Sequence, residues 1–246
     1  MMDKTKLLIA RAEDLAEATL KKDYPSFSGF LDMKQQTTLK NFKVPGVTPV
    51  FFGGYEDAER KVLGFFPDWY EDYSAHFPVK AIEIIPSDTE NLTHRDYLGS
   101  IMGLGIKREC IGDIIQKDDG AYVFAGDEII DFLIGNLDKI GHRNVKVKIK
   151  DNPEIMPKSF KHISGTCASE RIDCILCMVM NLSRGKAEEL IKSGRVMINY
   201  TEASSVCVKL KSGDTVSVRG FGKFIFKGSF GVTKKGRIKA EIEIYN

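Results

Sequence analysis

The side chains best placed for chemistry lie between Ser169 and Phe226, in the run SERIDCILCMVMNLSRGKAEELIKSGRVMINYTEASSVCVKLKSGDTVSVRGFGKFIF. Within it, Ser183 precedes an apolar stripe of Ala187, Leu190 and Ile191, the pattern of a capped helix that Gly194 stops. Arg184 and Lys186 fall in the first turn, where free amides and aligned peptide dipoles already make the potential positive and acidic residues are favoured. Cations there cost roughly a few tenths of a kcal/mol unless an anion docks on them. A phosphate could meet the amides, the Ser183 hydroxyl and both cations together. The plainer alternative is that both side chains are simply solvated. The first reading makes this stretch a surface for phosphate, and folded RNA is the ligand that supplies phosphates in that density.

The elements that must hold this turn are legible around it. Ser169 is a good cap for a preceding helix, with Ile172, Ile175, Leu176, Val179 and Met180 on one apolar face, broken at 181–183. After Gly194, residues 195–198 and 206–210 alternate as strands, 211–214 read as a turn, and strands follow at 215–219 and 223–226. Two helices against a small sheet make a module of about sixty residues.

The pattern Arg171-Ile172-Asp173, Ser183-Arg184, Ala187, Leu190-Ile191, Gly194-x-Val196-x-Ile198-Asn199 and Gly213-Asp214 resembles the RNA-binding domain named after ribosomal protein S-four. Many members have Asn-Gly where this chain has Asn199-Tyr200, so its hairpin turn is expected to differ. The resemblance implies an RNA-facing surface at the start of the second helix. Carried over, it comprises Arg171, Ser183, Arg184, Lys186, Arg195, Asn199 and Arg219, with Lys223 of the next strand added. Asp173 is expected to orient a neighbouring arginine, since a carboxylate facing phosphate is repulsive.

Charge supports that placement. Of 246 residues with net charge +2, residues 1–166 hold 22 Lys and Arg against 26 Asp and Glu, whereas residues 167–246 hold 14 against 8. The basic footprint therefore belongs to the last third of the chain. No apolar run approaches the roughly 20 residues of a membrane span, and the charged N-terminus does not read as a signal peptide, so a cytoplasmic protein is expected. Five cysteines argue against a disulfide framework there. Cys174-x-x-Cys177, with His162 and Cys167, could be drawn as a metal site. The helical context and irregular spacing favour reduced, packing cysteines, and neither metal nor cofactor is expected.

Towards the N-terminus, residues 3–22 read as an amphipathic helix and 32–42 as a second, capped by Asp32. Strands are expected at 49–52 and 61–66, with a helical turn at 56–60. The tract 67–73 mixes aromatics with acids, which favours packing over base stacking. From Pro78 the order is strand (79–85), helix (93–104, with Leu98, Ile101 and Met102 inward), strands (111–115, 121–125), helix (127–139) and strand (145–149). That is the split βαβ order of ferredoxin-like domains, shared with RNA-recognition folds but lacking their aromatic strand motif apart from Tyr122 and Phe124. Gly103-Leu104-Gly105 follows a helix rather than a strand and lacks a third glycine, so it reads as a helix stop and not a nucleotide loop.

The expected fold is α+β and multidomain. Residues 1–76 are expected to form an N-terminal α/β domain, 77–152 a ferredoxin-like, RNA-recognition-like domain, 153–168 a linker with room for a short strand, and 169–246 the S-four-type module. Together with the motifs Gly105-Ile106-Lys107-Arg108-Glu109, Gly112-Asp113-Ile114 and Arg219-Gly220-Phe221-Gly222-Lys223-Phe224, this organisation resembles the YlmH-type proteins. The resemblance implies a bacterial RNA-binding protein linked to cell division and akin to proteins that hold tRNA on the large ribosomal subunit during quality control. The expected partners are structured rRNA, tRNA and the large subunit, bound by a non-catalytic monomer. An RNA-modifying enzyme and a protein-interaction adaptor are the alternatives. The four histidines lie in unrelated contexts, which disfavours the enzyme.

Overall fold

The computed structural model describes residues 4–88, 92–156 and 159–245. Asp3 of the expected first helix and Pro157 of the expected linker lie outside the described residues. The chain divides into two compact units, Met1–Ile155 and Met156–Asn246.

In the first unit, α1 (Lys4–Lys22) buries Ala12, Ala16 and Thr19. β1 (Ser26–Leu31) follows at once, a strand hidden from sequence reading by its serines and glycine. Asp32 then caps α2 (Met33–Leu39) in a reciprocal capping box with Gln35. β2 (Val47–Phe52) and β3 (Lys61–Pro67) complete an antiparallel sheet in the order β1-β3-β2. Between the two strands, residues 56–60 are not helical. The Asp113 carboxylate accepts the Glu59 and Arg60 amides at 2.6 and 3.0 Å and holds them as a loop. As the central strand, β3 sends Leu63 and Phe65 to the α1 side and Val62 and Phe66 to the other, which explains its unbroken apolar run.

The second sheet of this unit contains β4 (Val79–Pro86), β5 (Ile111–Lys117), β6 (Gly120–Gly126), β7 (Lys139–Ile140) and β8 (Arg143–Ile149), ordered β5-β6-β4-β8-β7 and antiparallel. Helices α3 (His94–Gly103) and α4 (Asp127–Asn136) pack on one face through Tyr97, Ile101, Ile130 and Leu133. Met102 is exposed and Tyr97 takes the inward place expected for it. α4 starts at Asp127 as expected but ends at Asn136, and Lys139 already belongs to β7.

The opposite face of that sheet is covered by the first sheet. Ala81 and Phe124 share one buried cluster with Phe30, Val62, Phe66 and Phe77. Phe66 has the rings of Phe27, Tyr70, Tyr73 and Phe77 between 4.9 and 5.6 Å away, so most of the aromatic tract packs. Trp69 stays exposed, its indole donating to Asp23. Gly54, at φ +98°, lets the chain lie on Phe124, whose ring a Cβ would meet at 2.3 Å.

The Gly112-Asp113 motif locks the two layers. A Cβ on Gly112 would meet the Phe30 ring at 2.6 Å. Asp113 also accepts the Tyr55 hydroxyl at 2.8 Å, and burial together with that carboxylate raises the phenol well above its usual pKa. Arg60 donates to the carbonyls of Phe30, Arg108 and Ile111, while burial and the neighbouring Arg60 lower Arg108 to about 10. We expect Asp113→Asn to lower the free energy of unfolding by about 2 kcal/mol and Tyr55→Phe by about 1. Urea unfolding of the full chain checks both.

In the second unit, β9 (Phe160–Cys167) occupies much of the stretch expected as a linker, pairing along its whole length with the last strand. Helices α5 (Ile172–Met180) and α6 (Arg184–Lys192) follow. The sheet is completed by β10 (Val196–Ile198), β11 (Thr201–Glu202), β12 (Thr215–Val218), β13 (Gly222–Val232) and β14 (Ile238–Tyr245), ordered β11-β10-β12-β13-β14-β9 and antiparallel. Both helices lie on one face, where Ile172, Ile175, Leu176, Ala187 and Ile191 meet Val196, Val216, Val218, Phe224, Phe226 and Ile242. Residues 206–210 do not join the sheet. Instead Ile172 donates to the Val208 carbonyl and Leu210 to that of Glu170, bracing the start of α5. Among the described residues no helix is long and apolar enough to cross a membrane.

Candidate nucleic-acid interface

At the start of α5, Asp173 is wholly buried. Arg171 grips it with two parallel bonds, Nε to Oδ1 at 3.0 Å and Nη2 to Oδ2 at 2.8 Å. The Cys174 amide donates to Oδ1 at 3.0 Å, and Arg184 Nε reaches Oδ2 from α6 at 3.2 Å. Burial alone would raise this carboxyl, but the Arg171 and Cys174 hydrogen bonds outweigh it and hold the pKa below the usual range. The same bonds raise Arg171. Arg171, not Ser169, is the residue preceding α5, and its extended backbone turns the guanidinium back over the first turn.

Asp173 therefore anchors one cation and aims a second. The Arg184 side chain is still 63% exposed, leaning also towards Glu188 at 3.6 Å. Ser183 caps α6, its hydroxyl accepting the Lys186 amide at 3.4 Å, and no acidic residue lies in the first turn. Lys186 is exposed and makes no ion pair among the described residues. Among the described residues, and apart from its chain neighbours and its own helix backbone, no atom stands within 4 Å of where a Gly185 Cβ would be, so an anion can approach the helix end closely.

The remaining expected residues form separate groups. Arg195 Nη2 donates to the Arg219 carbonyl at 3.3 Å and the Arg219 amide returns a bond to the Arg195 carbonyl, leaving two exposed cations at the end of β12. Lys223 lies over the Tyr200 ring at 5.5 Å and the Tyr245 ring at 5.9 Å. Asn199 is engaged at both ends of its amide, donating to Asp214 at 2.8 Å and accepting the Thr215 amide at 3.0 Å. It shapes the β10–β11 turn, where Asn199 and Tyr200 both have positive φ, +46° and +64°. The two-residue hairpin is thus kept, with Tyr200 in a conformation glycine would adopt at less cost.

One cation at this end lies outside the expected set, although its basic hairpin is legible in the sequence. Arg237, just before β14, donates to the Thr166 carbonyl at 2.9 Å and lines a pocket of about 340 Å³ with Arg184, Cys167, Cys174 and Cys177. Its signal was the basic run 234–239, but only the pairing of β14 with β9 brings it there. The thiols are free, and burial raises those of Cys167 and Cys177. No metal-ligating cluster occurs among the described residues.

Because the folded Asp173 titrates below the unfolded value of about 3.9, its stabilisation is complete above that pH and is lost as pH falls through the folded value. Asp173→Ala is expected to cost about 3–5 kcal/mol. Asp173→Asn should flatten the loss of stability as pH falls below the usual carboxylate range. Urea unfolding across that range measures both.

Residues 73–154, the second sheet of the first unit, match the family described as "Putative RNA-binding domain in YlmH". The chain is 30% identical over 220 residues to the "Ribosome-associated protein quality control protein P2" of Bacillus subtilis (strain 168), covering 87% of this chain and 85% of that protein. Among solved structures, "Cell division protein ylmH from Streptococcus pneumoniae" superposes with a TM-score of 0.50 at 20% identity, over 61% of this chain and 93% of that one. Similarity of that extent to the Bacillus protein, joined to the match over the middle sheet, shows that the chain belongs to the YlmH family.

Proposed function

We propose that this protein is a non-catalytic, cytoplasmic RNA-binding factor that docks as a monomer on structured RNA of the large ribosomal subunit. The observation that carries the reading is the cationic start of α6, with Arg184 held outward by a buried carboxylate, Lys186 without an ion pair among the described residues, Gly185 open and Arg237 alongside. Arg171, Arg195 and Arg219 extend the cationic set. The name of the Bacillus relative supports a place in ribosome-associated quality control. Holding tRNA on the subunit, and the link to division that the Streptococcus protein's name carries, are the further steps of the same reading.

Phosphates replace counterions at such a surface, so affinity falls steeply with salt and follows RNA shape and backbone more than base sequence. We read the β4–α3–β5–β6–α4–β8 order as a ferredoxin-like domain, but Tyr122 and Phe124 are 8% and 1% exposed and offer no stacking surface. Any contact of that domain with RNA therefore runs through other residues.

Arg184→Ala with Lys186→Ala is expected to reduce co-sedimentation with ribosomes; because Arg184 also satisfies Asp173, the variant should lose about 1–2 kcal/mol of stability yet remain folded, as urea unfolding checks. The slope of log affinity against log salt should fall by about 2. Wild-type co-sedimentation by the variant overturns the reading. Incubation of the protein with rRNA and tRNA, followed by nucleoside mass spectrometry, is expected to yield no modified nucleoside, and a new one would restore the enzyme alternative.

A further inference from the structure

The hairpin of β13 and β14 carries an aromatic side chain that the described residues leave mostly in solvent. Phe230 is 60% exposed, and Val232 beside it 65%. The register explains why. Ser229 pairs with Ala240 and Gly231 with Lys239, so a bulge leaves Phe230 with no cross-strand partner, one of two bulges in β13. Bulges of this kind bend a strand and re-aim a side chain. Residues 227–239 contain Lys227, Lys234, Lys235, Arg237 and Lys239 and no carboxylate. Glu170, bonded to Ser229, and Glu241, paired with Gly228, lie near this stretch, but the five cations outnumber them, a balance that suits a base in a phosphate-rich strand better than an apolar protein groove.

The hairpin is fastened to the phosphate-binding end of the unit at two points. Ser229, adjacent to Phe230, donates to Glu170 Oε1 at 2.7 Å, and Glu170 immediately precedes Arg171. Arg237 lines the same pocket as Arg184. The residue next to Phe230 is thus tied to the segment that leads into α5, while Arg237 at the other side of the hairpin borders the start of α6. Backbone phosphates held by Arg171, Arg184 and Arg237 would leave a neighbouring unpaired base within reach of the ring.

We propose that Phe230 is a stacking platform for an unpaired base of the RNA that the cationic start of α6 holds. The proposal rests on the RNA-binding reading above and assigns it a contact of a different physical kind. Stacking releases no counterions, so its loss weakens binding equally at every salt concentration, whereas loss of a phosphate contact changes the salt slope.

The test is filter binding of the full chain to purified large-subunit rRNA across a salt series. Wild type, Phe230→Ala, Phe230→Leu, Phe230→Trp and the Arg184→Ala/Lys186→Ala variant are compared. Phe230→Ala is expected to bind about tenfold more weakly with an unchanged slope. Phe230→Leu, which keeps apolar bulk without a π face, should be as weak, and Phe230→Trp should match wild type. Phe230→Ala binding like wild type, with the Arg184 variant weakened, overturns the stacking proposal alone. So does a Phe230→Ala protein that binds rRNA normally but no longer sediments with ribosomes, which would place a ribosomal protein against the ring. Absence of rRNA binding by wild type overturns the RNA reading itself, and the stacking proposal with it.

Discussion

The buried carboxylate of Asp173 is the constraint on which the second unit's cationic end depends. A carboxylate without solvent is costly unless every lone pair is used, and here two guanidiniums and one amide use them. The geometry requires arginine at position 171, because the parallel pair of bonds matches a planar fork and a lysine could make only one of them. The consequence reaches α6. Arg184 contributes one nitrogen to the buried pair and keeps most of its side chain in solvent, so a flexible cation becomes one of fixed direction. Less rotamer entropy is then left to lose when an anion binds.

Legibility in the sequence followed locality. The α6 start could be read because cap, apolar stripe and stop fall within twelve residues, and the capping box of α2 for the same reason. Arg237 could not, since it reaches Arg184 only through the pairing of β14 with β9, more than seventy residues apart in sequence. β9 itself contains Lys161, His162, Ser164, Gly165 and Thr166, a polar run that becomes a strand only because β14 supplies a partner for each residue. The opposite error occurred at 206–210, where clean alternation reads as a strand while the tertiary structure uses those carbonyls and amides against the start of α5. Asn199 fits the family pattern by type, yet its position says nothing of where the amide points; the hydrogen bonds to Asp214 and Thr215 give it a turn-forming task.

The first unit shows why element order alone cannot assign a binding face. A four-stranded antiparallel core with two helices on one side leaves the other side open in principle. In this chain a second sheet lies on it, fixed by Gly112, Asp113 and Arg60, and Phe124 becomes a core residue. Gly112 and Asp113 of one motif and Arg108 of the other thus help to hold the two layers together. What remains in solvent includes Lys146 and Lys148 along β8, with Lys148 tied to the buried Glu83, whose pKa the hydrogen bonds from Lys117 and Lys148 depress.

Strain and compensation at the β10–β11 turn complete the picture of how the sheet carries its cations. A tyrosine at φ +64° costs about 1–2 kcal/mol relative to a relaxed backbone. The ammonium of Lys223 over its ring returns about 0.5–1 kcal/mol, and the second ring, Tyr245, lies on the same lysine. Tyr245 in turn meets Phe160 edge-on at 5.0 Å, so the last strand and the first strand of the unit are joined through aromatic contacts on the face away from the helices. Replacing glycine by tyrosine at this turn therefore exchanges conformational ease for a fixed position of Lys223, the same exchange of freedom for direction that Asp173 imposes on Arg184 on the other side of the sheet.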